Sequence, residues 1–410
     1  RLYSEFEEMT GIKIQRIDED GNVLWGMAGV TVCAASGEQL YPAIAPDWYG
    51  GAYVAWVDER ELATSGRDIY MQHIDGDGTP LWAANGISIC SASNEQSYIR
   101  MIPDGQGGTI LTWRDKRFDP GWDIYAQKVN MTGVIQWDWN GLAVCMDLLS
   151  DQSAPEIARD GFGGAVITWA DSRGPGGDVY AQRVSSTGAV QWAANGQAVS
   201  TSAETDFQPE ITYDPWNYST VVTWAQGNTG DGLIRAQRLD RYGAEGWASG
   251  GALIANASGS QYYPEIIPDY YGGVFIAWQD DRHSQDDIFI QHVDEDGDLY
   301  WNSTGVAAAT APGWQGYIEM VSDNTYSPIL SWNDWRTLDN GGDIFAQRID
   351  WWGYWGNPAP RITGADDVPG DDGLRLLLTW DRSRVDDFPE EEILQYQVLR
   401  SPTADYMFDT

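Results

Sequence analysis

The sequence predicts an all-β chain made of repeats of four short strands, and three observations carry that prediction. A glutamine followed ten residues later by a tryptophan occurs six times, as Gln15/Trp25, Gln72/Trp82, Gln127/Trp137, Gln182/Trp192, Gln237/Trp247 and Gln291/Trp301. A seventh glutamine, Gln347, has Asn357 at that offset, and successive glutamines lie 57, 55, 55, 55, 54 and 56 residues apart. Self-similarity at one fixed period marks a repeat architecture. Within each period, β-branched and aromatic runs alternate with Gly- or Asp-bearing turns, and no helical periodicity interrupts them.

One repeat, taken in order, shows the strands. Residues 154–161 (APEIARDG) end in an Asp-Gly turn, and 163–173 (GGAVITWADSR) form a β-branched and aromatic run. Residues 177–188 (GDVYAQRVSSTG) alternate and close on a turn, and 189–199 (AVQWAANGQAV) complete the unit. Four-stranded antiparallel sheets repeating at this interval point to a β-propeller, with a β-solenoid as the less suitable alternative because its coils are shorter. The second-strand tryptophan appears six times (Trp56, Trp113, Trp169, Trp224, Trp278, Trp332), whereas the third-strand glutamine appears seven times. Seven blades are therefore expected over residues 1–350, the first lacking its inner strands. Six blades closed by the N-terminal strands are the alternative.

Residues 351–360 (WWGYWGNPAP) read as a linker. Beyond it, 361–410 carry strand-like runs in which Trp380 and Tyr396 resemble the core pair of a fibronectin type III sandwich. That stretch is about half of such a domain, so the chain is expected to continue past Thr410. Taken together, Trp113-Arg-Asp115-Lys-Arg117, Asp123-Ile-Tyr-Ala-Gln127-Lys128 and Trp82-Ala-Ala-Asn85-Gly86, followed by such a module, resemble large secreted or cell-surface bacterial β-propeller proteins. The resemblance implies an extracellular or cell-surface place and further domains of the same chain. It supplies no catalytic residue.

Composition narrows the function classes. The net charge of −37, from 61 acidic and 24 basic residues, opposes binding of nucleic acid and anionic membrane surfaces. No apolar run is long enough to span a membrane. The three cysteines, Cys33, Cys90 and Cys145, each follow the repeat tryptophan by eight residues, in a slot that later holds Ser200, Ala255 and Ala309. Equivalent positions in neighbouring repeats are too far apart for a disulfide, so these read as small buried residues.

Four constellations bear on chemistry. Trp-x-Asp-x-Arg recurs as Asp58/Arg60, Asp115/Arg117, Asp171/Arg173, Asp280/Arg282 and Asp334/Arg336, with Gln226 and Asn228 in the fourth repeat. Sialidase-type propellers use arginines on carboxylates, but a feature repeated five times reads as a loop-pinning ion pair. As a partly exposed pair it would contribute at most about 1 kcal/mol. Glu156, Glu210, Glu265 and Glu319 begin the innermost strands, where Ala43 and Arg100 stand in earlier repeats. They either form a cation-binding ring or, as preferred, pair with arginines of the first constellation. The turn Asp294-Glu-Asp296-Gly-Asp298 spaces oxygens as weak calcium loops do, yet lacks the distal glutamate, and an Asp/Gly hairpin is the simpler reading. Finally, Trp122, Trp314 and Trp335 do not repeat; with Tyr317 and Asp334 they are the candidate ligand contacts on one loop face.

No phosphate loop, zinc spacing or nucleophile elbow is present in the sequence. The expected function is a non-catalytic module that binds a cell-surface glycan or protein. The competing classes are a glycoside hydrolase, sialidase-like or lyase propeller, and a subunit of an extracellular filament or lattice.

Overall fold

The computed structural model describes residues 11–355, except 19, 119–120, 148–149, 175, 201, 228–231, 324 and 337–341, and the backbone of two further strands. All regular structure among the described residues is β. An N-terminal pair, β1 (Ile12–Ile14) and β2 (Val30–Cys33), precedes five four-stranded antiparallel units. Units one to five open with β3 (Gln39–Pro46), β7 (Asn94–Pro103), β11 (Gln152–Arg159), β15 (Asp206–Asp214) and β19 (Gln261–Pro268). Unit six is three-stranded: β23 (Gln315–Ser322), β24 (Pro328–Asp334) and β25 (Asp343–Arg348). The N-terminal pair bonds to itself and packs Ile12, Val32 and Cys33 on Val54, Trp56 and Ile74 of unit one. It is not paired with β25, which bonds to β24. Residues 361–367 and 376–381 form an antiparallel pair; Tyr396 and the linker residues 356–360 lie outside the described residues.

The glutamine–tryptophan spacing has a direct cause. Gln127 is fully buried, and its side-chain oxygen accepts the backbone N–H of Lys128 and of Trp137 at 2.9 and 3.0 Å. Its amide donates to the carbonyl of Asp138 at 2.7 Å. The side chain thus splints the third strand to the connection leading to the fourth, and only a residue with both acceptor and donor does this. The same three bonds recur at Gln72, Gln182, Gln237 and Gln291.

The tryptophan so placed joins one unit to the next. Trp137 lies flat over Gly188 of the following unit, and its Nε1 donates to the Ser186 carbonyl at 3.2 Å. Any side chain at Gly188 would overlap the indole, with a Cβ 2.7 Å from Trp137. Trp25, Trp82, Trp192, Trp247 and Trp301 repeat the arrangement on Gly78, Gly133, Gly243, Gly297 and Gly353. Of the six, Trp137 and Trp247 are buried, at 8% and 7% exposure, and the other four keep one edge in solvent. Trp247→Ala is therefore expected to cost about 3–5 kcal/mol and Trp192→Ala about half that. Paired denaturant titrations giving the opposite order would mean that the exposed edge does not govern the loss.

The second-strand tryptophans form the deeper layer. Trp56, Trp113, Trp169, Trp224 and Trp278 are fully buried. Each meets the glycine of its unit's outer turn, where an added Cβ would stand 2.5 Å from the indole. At Asn85-Gly86 both residues adopt positive φ (62° and 80°), which suits only Asn and Gly. The W-x-x-N-G motif is thereby explained, and Asn85 Oδ1 also accepts the N–H of Ala34 from the preceding pair.

Trp-x-Asp-x-Arg is a buried node, which corrects the expectation of a weak exposed pair. Asp115 is fully buried, and its two oxygens accept from Arg117 N, Nε and Nη2 and from Trp113 Nε1 at 2.6–2.9 Å. Arg117 stacks 3.8 Å over Tyr125 and also bonds the Asn140 carbonyl and the Cys90 sulfur. The free, buried cysteines are thus acceptors at the seams. Burial pushes the Cys90 and Cys145 thiols up to about 12, so they are unreactive at neutral pH. Unit four rebuilds the node from other strands. Asp206 accepts from Trp224 Nε1 and Gln226 Nε2, and Arg235 reaches Gln226 at 2.6 Å.

Candidate functional site

The opening strands of units one to six neighbour one another in succession. Each carries a bulge at the same place, with its turning residue at positive φ: Tyr41, Tyr98, Ala154, Gln208, Tyr263 and Tyr317, at 47–60°. Six left-handed non-glycine residues at one level are a repeated strain, held by the ladders on either side. Two places beyond each bulge residue stand the positions singled out in the sequence. Those residues are Ala43, Arg100, Glu156, Glu210, Glu265 and Glu319.

This set is not uniform. Arg100 Nε bonds Glu156 at 2.8 Å, and Glu156 is buried whereas Glu210 and Glu265 are half-buried and Glu319 is exposed. The arginine partner is the set's own Arg100, not one of the Trp-x-Asp-x-Arg arginines, which are occupied by their aspartates. Burial pushes Glu156 up to about 7 against the pull of Arg100. Burial and the facing glutamates raise Glu265 to about 8 and hold Glu210 well above the carboxylate range. Glu156 is thus tied to a cation, whereas burial and mutual repulsion favour the protonated forms of Glu210 and Glu265. Such a difference in environment is what separates acid from base roles in enzymes that use paired carboxyl groups.

Two places before these positions, Tyr41, Tyr98, Tyr263 and Tyr317 stand 38–69% exposed, a row of tyrosines at one end of the opening strands. The sequence-predicted contacts lie at this end. Trp314 and Tyr317 meet edge to face at 5.2 Å, and Trp335 is tied to Trp314 by a backbone bond of 2.9 Å. Trp314 is half-buried with its Nε1 on Asp286, and Trp335 is 42% exposed. Trp122 belongs to unit two, away from that trio, and is covered by Arg114 at 4.3 Å. Asp334 is not a ligand contact: it is fully buried and its oxygens are taken by Arg336 and Trp332. Nor do Asp294, Asp296 and Asp298 converge. Asp294 Oδ1 caps the turn by accepting the N–H of Asp296 and Asp298 at 3.0 and 2.8 Å. Among the described residues no group of three acidic, histidine or cysteine side chains is placed to hold a metal ion.

The opposite end escaped the sequence reasoning. There the turns between first and second strands are capped by Asp47, Asp104, Asp160, Asp214, Asp269 and Asp323, each buried or half-buried. Each binds a basic side chain of the third strand: His73, Lys128, Arg183, Arg238, His292 or Arg348, at 2.6–3.2 Å. The repeated basic slot was visible in sequence, but its partner lies about 25 residues upstream with no motif to link the two. A hollow of about 850 Å³ opens at this end, against the turns and opening strands of units one to five.

No family model matches the chain, and no curated relative does either. Solved structures do. An ulvan lyase of polysaccharide lyase family 25, bound to -[GlcA(1-4)Rha3S]-, is 10% identical over 76% of this chain and 78% of its own, with a TM-score of 0.52. A puromycin hydrolase mutant is 15% identical over 90% of this chain, with a TM-score of 0.50; the chain spans about half (54%) of that enzyme. A Hadza microbial sialidase is 11% identical over 70% of this chain and 65% of its own, with a TM-score of 0.42. The likeness is one of all-β fold.

Proposed function

We propose that this chain is a seven-bladed β-propeller, its first blade reduced to the N-terminal pair, that cleaves glycosidic bonds of a polysaccharide in its central channel. One observation carries the proposal: an arginine-paired glutamate, Glu156, lies among glutamates with no cation of their own. The non-catalytic expectation rested on every acid being repeated and therefore equivalent. The four glutamates are repeated in sequence but inequivalent in burial and partner. Glycoside hydrolysis needs one carboxyl group that donates a proton to the departing oxygen and one carboxylate on the other side of the sugar. Glu210 suits the first role and Glu156, held by Arg100, the second. The C–O bond breaks as Glu210 gives its proton to the leaving sugar, and water, losing a proton to Glu156, supplies the hydroxyl that ends on the anomeric carbon. That the matching folds include a polysaccharide lyase and a hydrolase supports an enzyme over a passive scaffold. A secreted or cell-surface place, with a fibronectin type III-like module from residue 361, completes the proposal.

Release of new reducing ends from a panel of polysaccharides tests it, with ultraviolet absorbance of unsaturated products separating elimination from hydrolysis. Glu210→Gln is expected to lower turnover by about 10²–10⁴. No release from any substrate, or full activity in both Glu210→Gln and Glu156→Gln, would leave the channel without chemistry. The second reading, a binding module without catalysis, is favoured by the exposed Trp335 and by the row of tyrosines. It predicts glycan retention with no release.

A further inference from the structure

The hollow at the turn end differs in character from the tyrosine-bearing end. Its floor is formed by Ile102, Ile157 and Ile211, and the latter two directly follow Glu156 and Glu210. Its rim carries aromatic rings from four units: Trp48, Phe162, Tyr218 and Tyr270. Trp48, Tyr218 and Phe162 are 69%, 59% and 44% exposed, so they do not serve the core.

Nor does the backbone favour them. Trp48 and Tyr270 occupy the turn position directly after the capping aspartate, at φ 65° and 66°. Units two and three place Gly105 and Gly161 there, at 73° and 77°. In these four turns the position is left-handed, which glycine adopts without penalty and a bulky aromatic only at a cost. In two units, then, the chain holds a large ring, exposed at Trp48 and half-buried at Tyr270, in a strained position on the same hollow. Strain of this kind gathers at ligand clamps.

The chemistry of the hollow selects the ligand. The carboxylates beneath the rim, Asp104 and Asp160, are buried and bound to Lys128 and Arg183. The one exposed charge on the wall is Arg159, 5.0 Å over the Tyr213 ring. The wall is thus aromatic and close to neutral, on a chain whose net charge of −37 repels polyanions. Upright rings around a concavity of about 850 Å³ suit sugar rings, whose apolar faces stack on aromatic planes while hydroxyls reach a guanidinium and turn carbonyls. We infer that the turn-end hollow walled by Trp48, Phe162, Tyr218 and Tyr270 is a binding site for a neutral polysaccharide. Outside it, Trp216 stacks near Tyr271 at 6.2 Å, and Tyr271 meets Tyr326 at 5.9 Å, extending the ring-lined track across units four to six. Binding here does not require cleavage. Only the further point, that the held chain presents its end to Glu156 and Glu210, rests on the proposed hydrolysis.

Retention on cellulose, xylan, mannan, arabinan and chitin, with alginate as the anionic counterpart, tests the site. Wild-type protein is expected to be retained by at least one neutral polymer and not by alginate. Trp48→Ala with Tyr270→Ala should weaken that retention at least tenfold while the melting temperature stays level or rises. Trp48→Gly with Tyr270→Gly, which installs the residue units two and three already use in that turn, keeps the test informative if the alanine pair folds poorly. Trp314→Ala with Trp335→Ala, at the other end, should leave retention unchanged. Glu210→Gln should bind as wild type even where it no longer cleaves, so failure of the hydrolysis and failure of the binding site are told apart. Retention by alginate alone, by no polymer, or to the same degree in the Trp48/Tyr270 variants would overturn the assignment.

Discussion

Asp115→Ala is expected to lower the unfolding free energy by about 3–5 kcal/mol, because the loss leaves a guanidinium buried without its counter-charge. Arg117 is 12% exposed and directs three donors at Asp115, while Trp113 Nε1 directs a fourth. All four lose an acceptor that water cannot replace in so closed a site. Arg117→Lys is expected to be milder, at about 1–2 kcal/mol: it keeps the charge but loses the two-pronged geometry and the stacking on Tyr125. Urea titration of both variants reads the difference. A loss below about 1 kcal/mol for Asp115→Ala would return the motif to the exposed pair that its polar sequence suggests. Since each unit of a repeat array contacts mainly its neighbours, the loss should appear first as local opening around unit two, detectable as faster amide exchange there than in unit five.

The second large effect is one of pH. Glu265 takes up its proton at about 8 in the folded chain, against 4.5 for an unconstrained glutamate. The folded state then binds more protons than the unfolded state between those values. Stability contributed by the neutral carboxyl is full below about 4.5 and is lost as pH rises towards 8. Glu156 and Glu210 shift in the same direction. Discounted for the solvent that reaches a half-buried side chain, Glu265→Gln should stabilise the protein by about 1–2 kcal/mol at pH 9 and by almost nothing at pH 4. His292 works in the opposite sense at lower pH. Burial holds it below 6.5, so the folded state loses stability as pH falls beneath that value. Urea midpoints for wild type and Glu265→Gln across this range test the signs. A variant equally stabilised at both ends would show that packing, not ionisation, sets the effect.

The repeat, its four strands and the glutamine–tryptophan pairing were legible because a periodic fold writes itself as periodic sequence. Their cause was not, since nothing in the spacing of Gln127 and Trp137 says that one side chain bonds the backbone of the other. Burial of the Trp-x-Asp-x-Arg aspartates was missed for a related reason: a charged residue in a loop motif reads as exposed unless its stacked and bonded partners are known. The four glutamates were picked out at the right positions, but their inequivalence depends on Arg100 and on burial. Asp334 was misjudged because the same five letters serve ligand contact and structural pinning. The turn-end hollow stayed hidden because Trp48, Phe162, Tyr218 and Tyr270 follow no common spacing and are assembled only when the units stand side by side.

The seams between units have a direction. Trp82 of unit one reaches forward to the Met131 carbonyl of unit two, and Asn140 of unit two reaches back to the N–H of Ser91. Each unit is thus finished by groups that have not yet been synthesised when its own strands leave the ribosome. A nascent chain folding in this order exposes one unsatisfied edge at a time, always the newest, and every arriving unit seals its predecessor while presenting the same edge again. Gene duplication of a single unit would insert a piece whose two faces already match its neighbours.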